Sequence, residues 1–178
     1  MAGTGSILLV DDQEDNLFAL HSVLETLGRP IVRASDGEEA LRVALRQEIS
    51  VAVLDVIMPL MDGVEVLRYL KRLEPTQHIP VVLLTGIGRD DTLAAKAYEY
   101  GVADYLVKPI DPWSLRAEVR ALADLCDRTA ELARENRQLR EQVSHLVAVP
   151  RQPTPAERAR LTEELLRSGH LAPGHRTS

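Results

Sequence analysis

The sequence predicts an α/β fold: a doubly wound, five-stranded parallel sheet with helices on both faces, followed by a long C-terminal helix. Three observations predict it. Five short apolar runs alternate with stretches of helical periodicity. Apart from Arg33 and Asp104, the runs are apolar throughout rather than at every second position, as in strands covered on both faces. Each functional candidate falls at or just after the carboxyl end of such a run, where open α/β sheets bind their ligands.

The elements follow in order. Residues 7–10 form the first strand and end in acid. Leu17, Leu20, Leu24 and Leu27 recur at helical spacing over 14–27, and Gly28 stops that helix. Residues 31–34 make the second strand. Asp36 and Gly37 turn the chain into a helix over 38–46. The third strand, 51–54, ends at Asp55, and Pro59 and Gly63 punctuate the loop beyond it. Val66, Leu67 and Leu70 line the apolar face of the next helix. Pro80 leads into a fourth strand, 81–84, which ends at Thr85. A weaker helix over 90–99 is followed by Gly101. The fifth strand, 102–107, ends just before Lys108 and Pro109, and the long helix starts near Asp111.

Composition narrows the function classes. Apolar residues at 45% and charged residues at 27% suit a folded domain that stays in solution. Aromatics are 3%, so the core rests on Leu, Val, Ile and Ala. A net charge of -6 argues against a nucleic-acid groove. The single cysteine, Cys126, gives no intrachain disulfide framework or thiolate metal cluster and points to a reducing compartment. The opening MAGTGSILLVDD reaches two aspartates after a run too short for a signal peptide or membrane span. No other stretch is apolar enough to cross a bilayer. The expected location is cytoplasmic, without membrane insertion.

Asp11, Asp12 and Asp55 are expected to bring three carboxylates into one crevice. Like charges repel there, so the site favours a cation. Oxygen ligands without cysteine or clustered histidine favour Mg²⁺, with Mn²⁺ as the alternative, over zinc. Lys108 offers a positive charge for a phosphoryl oxygen, and Thr85 a short hydroxyl. Asp55 is the natural nucleophile, since an aspartyl phosphate is accessible covalent chemistry. Singly, each residue has a plain explanation: aspartate after a strand is common turn chemistry, Thr85 before Gly86 ends a strand, and Lys108 precedes a turn proline. Their joint occurrence at the ends of strands one, three, four and five is what demands a function.

The motifs LLVDDQEDN, VLDVIMPLMDG, LLTG and DYLVKP carry a resemblance. The chain is similar to the receiver domain of bacterial two-component response regulators over residues 5–125. The resemblance implies a flavodoxin-like receiver fold. It implies that Asp11 and Asp12 organise Mg²⁺, with Asp12 and Asp55 binding through side chains, Ile57 through its backbone carbonyl, and Asp11 more through water. It implies that Asp55 accepts a phosphoryl group from a histidine kinase or phosphotransfer protein, and that Thr85 and Lys108 contact the phosphoryl oxygens. Tyr105 matches the aromatic switch residue that turns inward when Thr85 moves toward the phosphate. Without the resemblance, Tyr105 reads as an aromatic packed on the last helix. Two departures stand out. Gly86 occupies a position where alanine is usual. Ile57 and Ile87, two residues past Asp55 and Thr85, are apolar and cannot position a hydrolytic water by hydrogen bonding.

The expected function is phosphorelay signalling to a protein partner that the sequence does not name, by a regulator rather than an enzyme. An Mg²⁺-dependent hydrolase of the aspartyl-phosphate type would need a further acid–base carboxylate and a substrate cap, and no cap insertion is visible. A receiver acting in transcription control through its C-terminal helix would need a basic block. Glu131, Arg134, Glu135, Arg137, Arg140 and Glu141 instead mix signs, and no helix-turn-helix fits between Pro150 and Ser178. Direct nucleic-acid binding is not expected.

Three regions are expected: a receiver over 1–125, an extended last helix and coiled coil over 111–149, and a Pro-rich tail over 150–178. A heptad written from Leu122 places Leu125, Leu132, Leu139 and Leu146 at d, and Thr129, Asn136 and Val143 at later a positions. Leu at d with one buried Asn suits a parallel homodimer. The alternative, a fold-back near residue 127, lacks Gly or Pro for its turn. Pro150, Pro153 and Pro155 end the helix. Thr154 to Glu157 resembles a capping box, opening a short helix to about Arg167 with Leu161 and Leu165 on one side. The remainder of the tail is expected to be disordered.

Overall fold

The computed structural model describes residues 5–86, 91–147 and 154–167. The elements are β1 (Ser6–Val10), α1 (Glu14–Leu24), β2 (Ile31–Ala34), α2 (Gly37–Arg46), β3 (Ile49–Asp55), α3 (Gly63–Arg72), β4 (Val81–Thr85), α4 (Asp91–Glu99), β5 (Asp104–Val107), α5 (Pro112–Val147) and α6 (Pro155–Arg167). All strand pairs are parallel, in the order β2-β1-β3-β4-β5. The predicted fold class and every predicted strand are present.

The boundaries that moved have local causes. β3 starts two residues early because all seven of its residues are buried. β5 starts late because Val102 still donates its N–H to Ala97 at the end of α4. The first helix tightens into a 3-10 turn over Glu25–Leu27, and Gly28 closes it at φ 68, a left-handed conformation that glycine adopts freely.

Consecutive strand residues point to opposite faces, which builds two cores. Leu8, Leu54 and Leu83 pack with Val66, Leu67 and Leu70 of α3 and Ala97 of α4. Leu9, Val53 and Leu84 pack on the other face with Leu17 and Leu24 of α1 and Leu115, Val119 and Ala123 of α5. β3 is central and covered on both sides, so its carboxyl end is held rigidly. α3 begins hard against that end. Asp62 caps it by accepting from the Glu65 N–H at 2.7 Å, and a Cβ at Gly63 would collide with the Asp55 carbonyl oxygen. Only glycine permits that approach.

α5 is one continuous helix of 36 residues, so the fold-back near residue 127 does not occur. Its apolar contacts with the sheet end at Ala123. From there polar bonds take over. The Arg29 side chain, 11% exposed, donates to Asp124 at 2.6 Å and to Asp127 at 2.7 Å. The Ser50 hydroxyl also donates to Asp127. Arg134 pairs with Glu48 at 3.2 Å. Arg29 precedes β2 and Glu48 precedes β3, so these bonds hold α5 at the amino-terminal edge of the sheet.

The chain divides into two compact units, Met1–Arg134 and Glu135–Ser178. The second contains the remainder of α5 and also α6. α6 opens on the predicted capping box: the Thr154 N–H and hydroxyl donate to the Glu157 carboxylate at 2.7 and 2.8 Å, and the Glu157 N–H donates back at 3.3 Å. Pro150, Pro153 and residues 168–178 lie outside the described residues, as do the side chains of Leu146 and Leu165. No helix among the described residues is long and apolar enough to cross a membrane.

Replacing Arg29 with Met keeps the apolar stem but leaves Asp124 and Asp127 without their cation. Arg29→Met should cost about 1 to 3 kcal/mol. In urea unfolding it should lower the midpoint at unchanged slope. An unchanged midpoint would mean that these ion pairs contribute nothing.

Candidate functional site

β1, β3, β4 and β5 lie side by side, so their carboxyl ends form one edge. Asp55 is the last residue of β3 and is 6% exposed. Its Oδ2 accepts from the Ile57 N–H at 3.0 Å, and its Oδ1 from the Lys108 ammonium at 2.6 Å. Asp11, just past β1, is fully buried. Its Oδ1 accepts from the Gln13 N–H at 2.9 Å and from Asn16 Nδ2 at 3.0 Å. Its Oδ2 is buried without a hydrogen bond, 3.6 Å from Lys108 Nζ. Lys108 therefore sits between the two carboxylates. Its own N–H donates to the Thr85 carbonyl at 2.7 Å, which ties the ends of β4 and β5 together. The Lys108–Pro109 peptide is cis.

Burial pushes the Asp55 pKa above the ordinary carboxylate value, and the nearby Asp11 charge adds to the rise. The hydrogen bond and charge of Lys108 pull the other way without cancelling it. Buried carboxylates facing one shared cation are the electrostatic signature of a functional cleft.

The expectation of three converging carboxylates is met for Asp11 and Asp55; Asp12 is exposed. Among the described residues, no group of three or more His, Cys, Asp or Glu side chains forms a ready metal cage. Lys108 supplies the central positive charge instead. The donors nonetheless fit a hard divalent cation. Asp11 Oδ2 is a buried carboxylate oxygen with no donor, and such an atom calls for a cation or water. Asp55 Oδ1 shares the Lys108 ammonium with Asp11, so two carboxylates already face one point, and Mg²⁺ keeps most of its waters and needs few protein ligands.

Thr85 ends β4 and is buried, in register with Val107. Among the described residues, a Cβ at Gly86 would meet no atom within 4 Å. Ile57 is half-exposed beside Asp55; Ile87 lies outside the described residues. Tyr105 pairs with Leu83. Its ring packs on the core beneath α2, α3 and α4, not on the last helix. Its hydroxyl is buried with no hydrogen-bond partner among the described residues.

Sequence reasoning missed two contributors. Asn16, in the first turn of α1, holds the Asp11 carboxylate, and its only signal was a polar residue at the end of LLVDDQEDN. Gly63 read as loop punctuation but is the first residue of α3, in contact with the Asp55 backbone.

A profile of the response regulator receiver domain matches residues 7–120. The chain belongs to the response regulator receiver family. The match covers nearly all of the sheet, α1 to α4 and the start of α5, and it places the chain in phosphorelay signalling. The receiver is 44% identical over 117 residues to the response regulator PleD of Caulobacter vibrioides, covering 65% of this chain and 25% of PleD. It is 37% identical over 117 residues to the alkaline phosphatase synthesis transcriptional regulatory protein PhoP of Bacillus subtilis, covering 65% of this chain and 47% of PhoP. The chain thus spans a quarter to about half the length of these curated relatives. Among solved structures, a response regulator receiver domain protein from Clostridium thermocellum superposes with a TM-score of 0.63 at 31% identity, covering 72% of this chain and 98% of that one.

The raised Asp55 pKa sets a pH dependence. Ionising Asp55 costs more in the folded receiver than in the unfolded chain. Its contribution to stability is therefore fully present below the ordinary aspartate pKa and is lost as pH rises through the raised folded value. Asp55→Asn removes that loss, so the variant should be more stable than the parent at neutral pH and match it in acid. Thermal unfolding of both proteins from pH 3 to pH 7.5 checks this; a constant difference across that range would contradict it.

Proposed function

We propose that Asp55 is the phosphoryl acceptor of this receiver and that Lys108, Thr85 and Asp11 serve its chemistry. The supporting observation is the Lys108 ammonium, 2.6 Å from Asp55 and 3.6 Å from Asp11, at the carboxyl edge of a rigid sheet. An Asp55 oxygen attacks phosphorus in a phosphohistidine of a histidine kinase or phosphotransfer protein. The P–N bond breaks, its electron pair goes to the imidazole, and the imidazole takes a proton from solvent. The product is an acyl phosphate on Asp55. Lys108 then turns from a carboxylate partner into a partner for a phosphoryl oxygen, and the Thr85 hydroxyl donates to another.

Asp11, Asp12, Asp55 and the Ile57 carbonyl are the groups that would hold Mg²⁺ or Mn²⁺. When bound, the cation offsets the repulsion between the carboxylate and the incoming phosphoryl group. The protein's own part is to hold Asp55 beside Lys108, fix its orientation through the Ile57 N–H, and hold Asp11 through Gln13 and Asn16.

In this reading the receiver module occupies residues 1–125, acts in the cytoplasm, and signals to a further protein through a change of conformation rather than by turning over a substrate. The hydrolase alternative is separated by stoichiometry. With a small acyl phosphate donor and Mg²⁺, the chain should gain about one phosphoryl group, and Asp55→Asn should gain none. Excess chelator should abolish the gain. Steady release of many phosphates per chain, or equal labelling of Asp55→Asn, would overturn the assignment.

Tyr105 is assigned the coupling step. Its buried, unpartnered hydroxyl marks a side chain held by packing alone, and such a group moves between states at modest cost. Beryllium fluoride with Mg²⁺, which mimics a phosphoryl group on a carboxylate, should change the Tyr105 side-chain NMR signals in the parent protein. Asp55→Asn should show no such change. Identical Tyr105 signals with and without the mimic would remove this residue from the mechanism.

A further inference from the structure

α5 presents two faces with different fates after its core contacts end. Asp127 and Arg134 are spaced seven residues apart, and both bond the helix to its own receiver, through Arg29, Ser50 and Glu48. Each lies two residues past a leucine, Leu125 and Leu132. On an α-helix two residues are about 200° around, nearly the opposite side. In heptad terms the receiver holds this stretch by c and f positions, Asp124, Asp127 and Arg134, and leaves the a and d positions from Leu125 to Val143 exposed. Leu125, Leu132 and Leu139 at d are 63%, 65% and 60% exposed, and Val143 at a is 57% exposed. Four large apolar side chains at heptad spacing on one exposed helix form a surface, unlike the scattered apolar residues of an ordinary exterior.

We propose that this stripe seats against the same stripe of a second copy of the chain, in a parallel, in-register two-stranded coiled coil. The residues between the leucines choose the occupant. Asn136 occupies an a position and is exposed. Only in a parallel, in-register pair do two Asn136 amides face each other and bond; opposite an apolar layer the amide would be buried unpaired. Glu135 at g faces Arg140 at the following e of the partner helix in the same register, an opposite-charge pair on each side of the seam. Leu at every d position suits two parallel strands. The remaining a position, Thr129, is a poor filler, so association is expected in the micromolar range rather than below it.

The pairing does not depend on the assignment of Asp55, and its test needs no phosphoryl donor. Sedimentation equilibrium of the full chain should give twice the chain mass toward the upper micromolar range. Leu132→Glu, at a solvent-facing position whose change leaves the receiver folded, should weaken association by at least about tenfold. Orientation is read by cross-linking in a Cys126→Ser background. Leu132→Cys and Leu139→Cys, made separately, should each form a disulfide-linked dimer on mild oxidation, because each layer meets its own copy. A full chain that stays monomeric throughout overturns the proposal. So does a dimer in which at most one of the two cysteines cross-links, since an antiparallel pair can align only one layer with itself.

Discussion

The arrangement around Lys108 governs the rest of the molecule. Two buried carboxylates, Asp11 and Asp55, share one ammonium, and they share it unequally: 2.6 Å to Asp55, 3.6 Å to Asp11. The balance leaves Asp11 Oδ2 without a donor and leaves Asp55 harder to ionise than an ordinary aspartate. Neither group can relax away. Asp55 terminates a strand buried over its whole length, with Gly63 pressed against its backbone. Asp11 is clamped by Gln13 and Asn16. The apolar sheet thus maintains an electrostatic tension that an isolated loop would release by turning one carboxylate to water.

Unpartnered buried polar atoms are uncommon in folded proteins, and each asks for a reason. Among the described residues three side-chain atoms qualify: Asp11 Oδ2, Tyr105 Oη and Arg68 Nε. The first two belong to the site and to the strand that leads to it. Tyr105 lies three residues before Lys108 on β5, beside β4 and its terminal Thr85. One polar imbalance is therefore electrostatic and the other is a stranded hydroxyl in an apolar core. Under the proposed phosphoryl transfer to Asp55, the charge around Asp11 Oδ2 changes, and a coupled response of Tyr105 is a shift between populations rather than a fixed displacement.

The sheet was legible because its strands are short, continuous and apolar, a pattern that survives without tertiary information. The site was legible because Asp11, Asp55, Thr85 and Lys108 are the polar residues that end or directly follow apolar runs. What stayed hidden depends on contacts distant in sequence. No local pattern announces that Arg29 bonds Asp124 and Asp127, or that Lys108 rather than Asp12 occupies the centre of the acidic edge. The exposure of Asp12 follows from its neighbour: adjacent residues leaving a strand point opposite ways, and Asp11 takes the inward direction. The late start of β5 was equally invisible, because Val102 keeps its bond to α4 and only the folded chain reveals which partner wins.

α5 runs from just past Lys108, at the carboxyl edge of the sheet, to Arg29 and Glu48 at the opposite edge. Its attachments change character along the way. Near the site it rests on Leu115 and Val119, apolar contacts that are non-directional and tolerate small tilts. At the far edge it is held by a forked arginine and a second ion pair, which fix both position and rotation about the helix axis. Rotation matters under the proposed pairing, since a turn of a few tens of degrees would carry Leu125 and Leu132 away from a second copy. The polar anchors therefore do for α5 what register does for a strand. They fix the rotation of α5 as far as Arg134, while its end nearest the site rests on apolar contacts with the sheet.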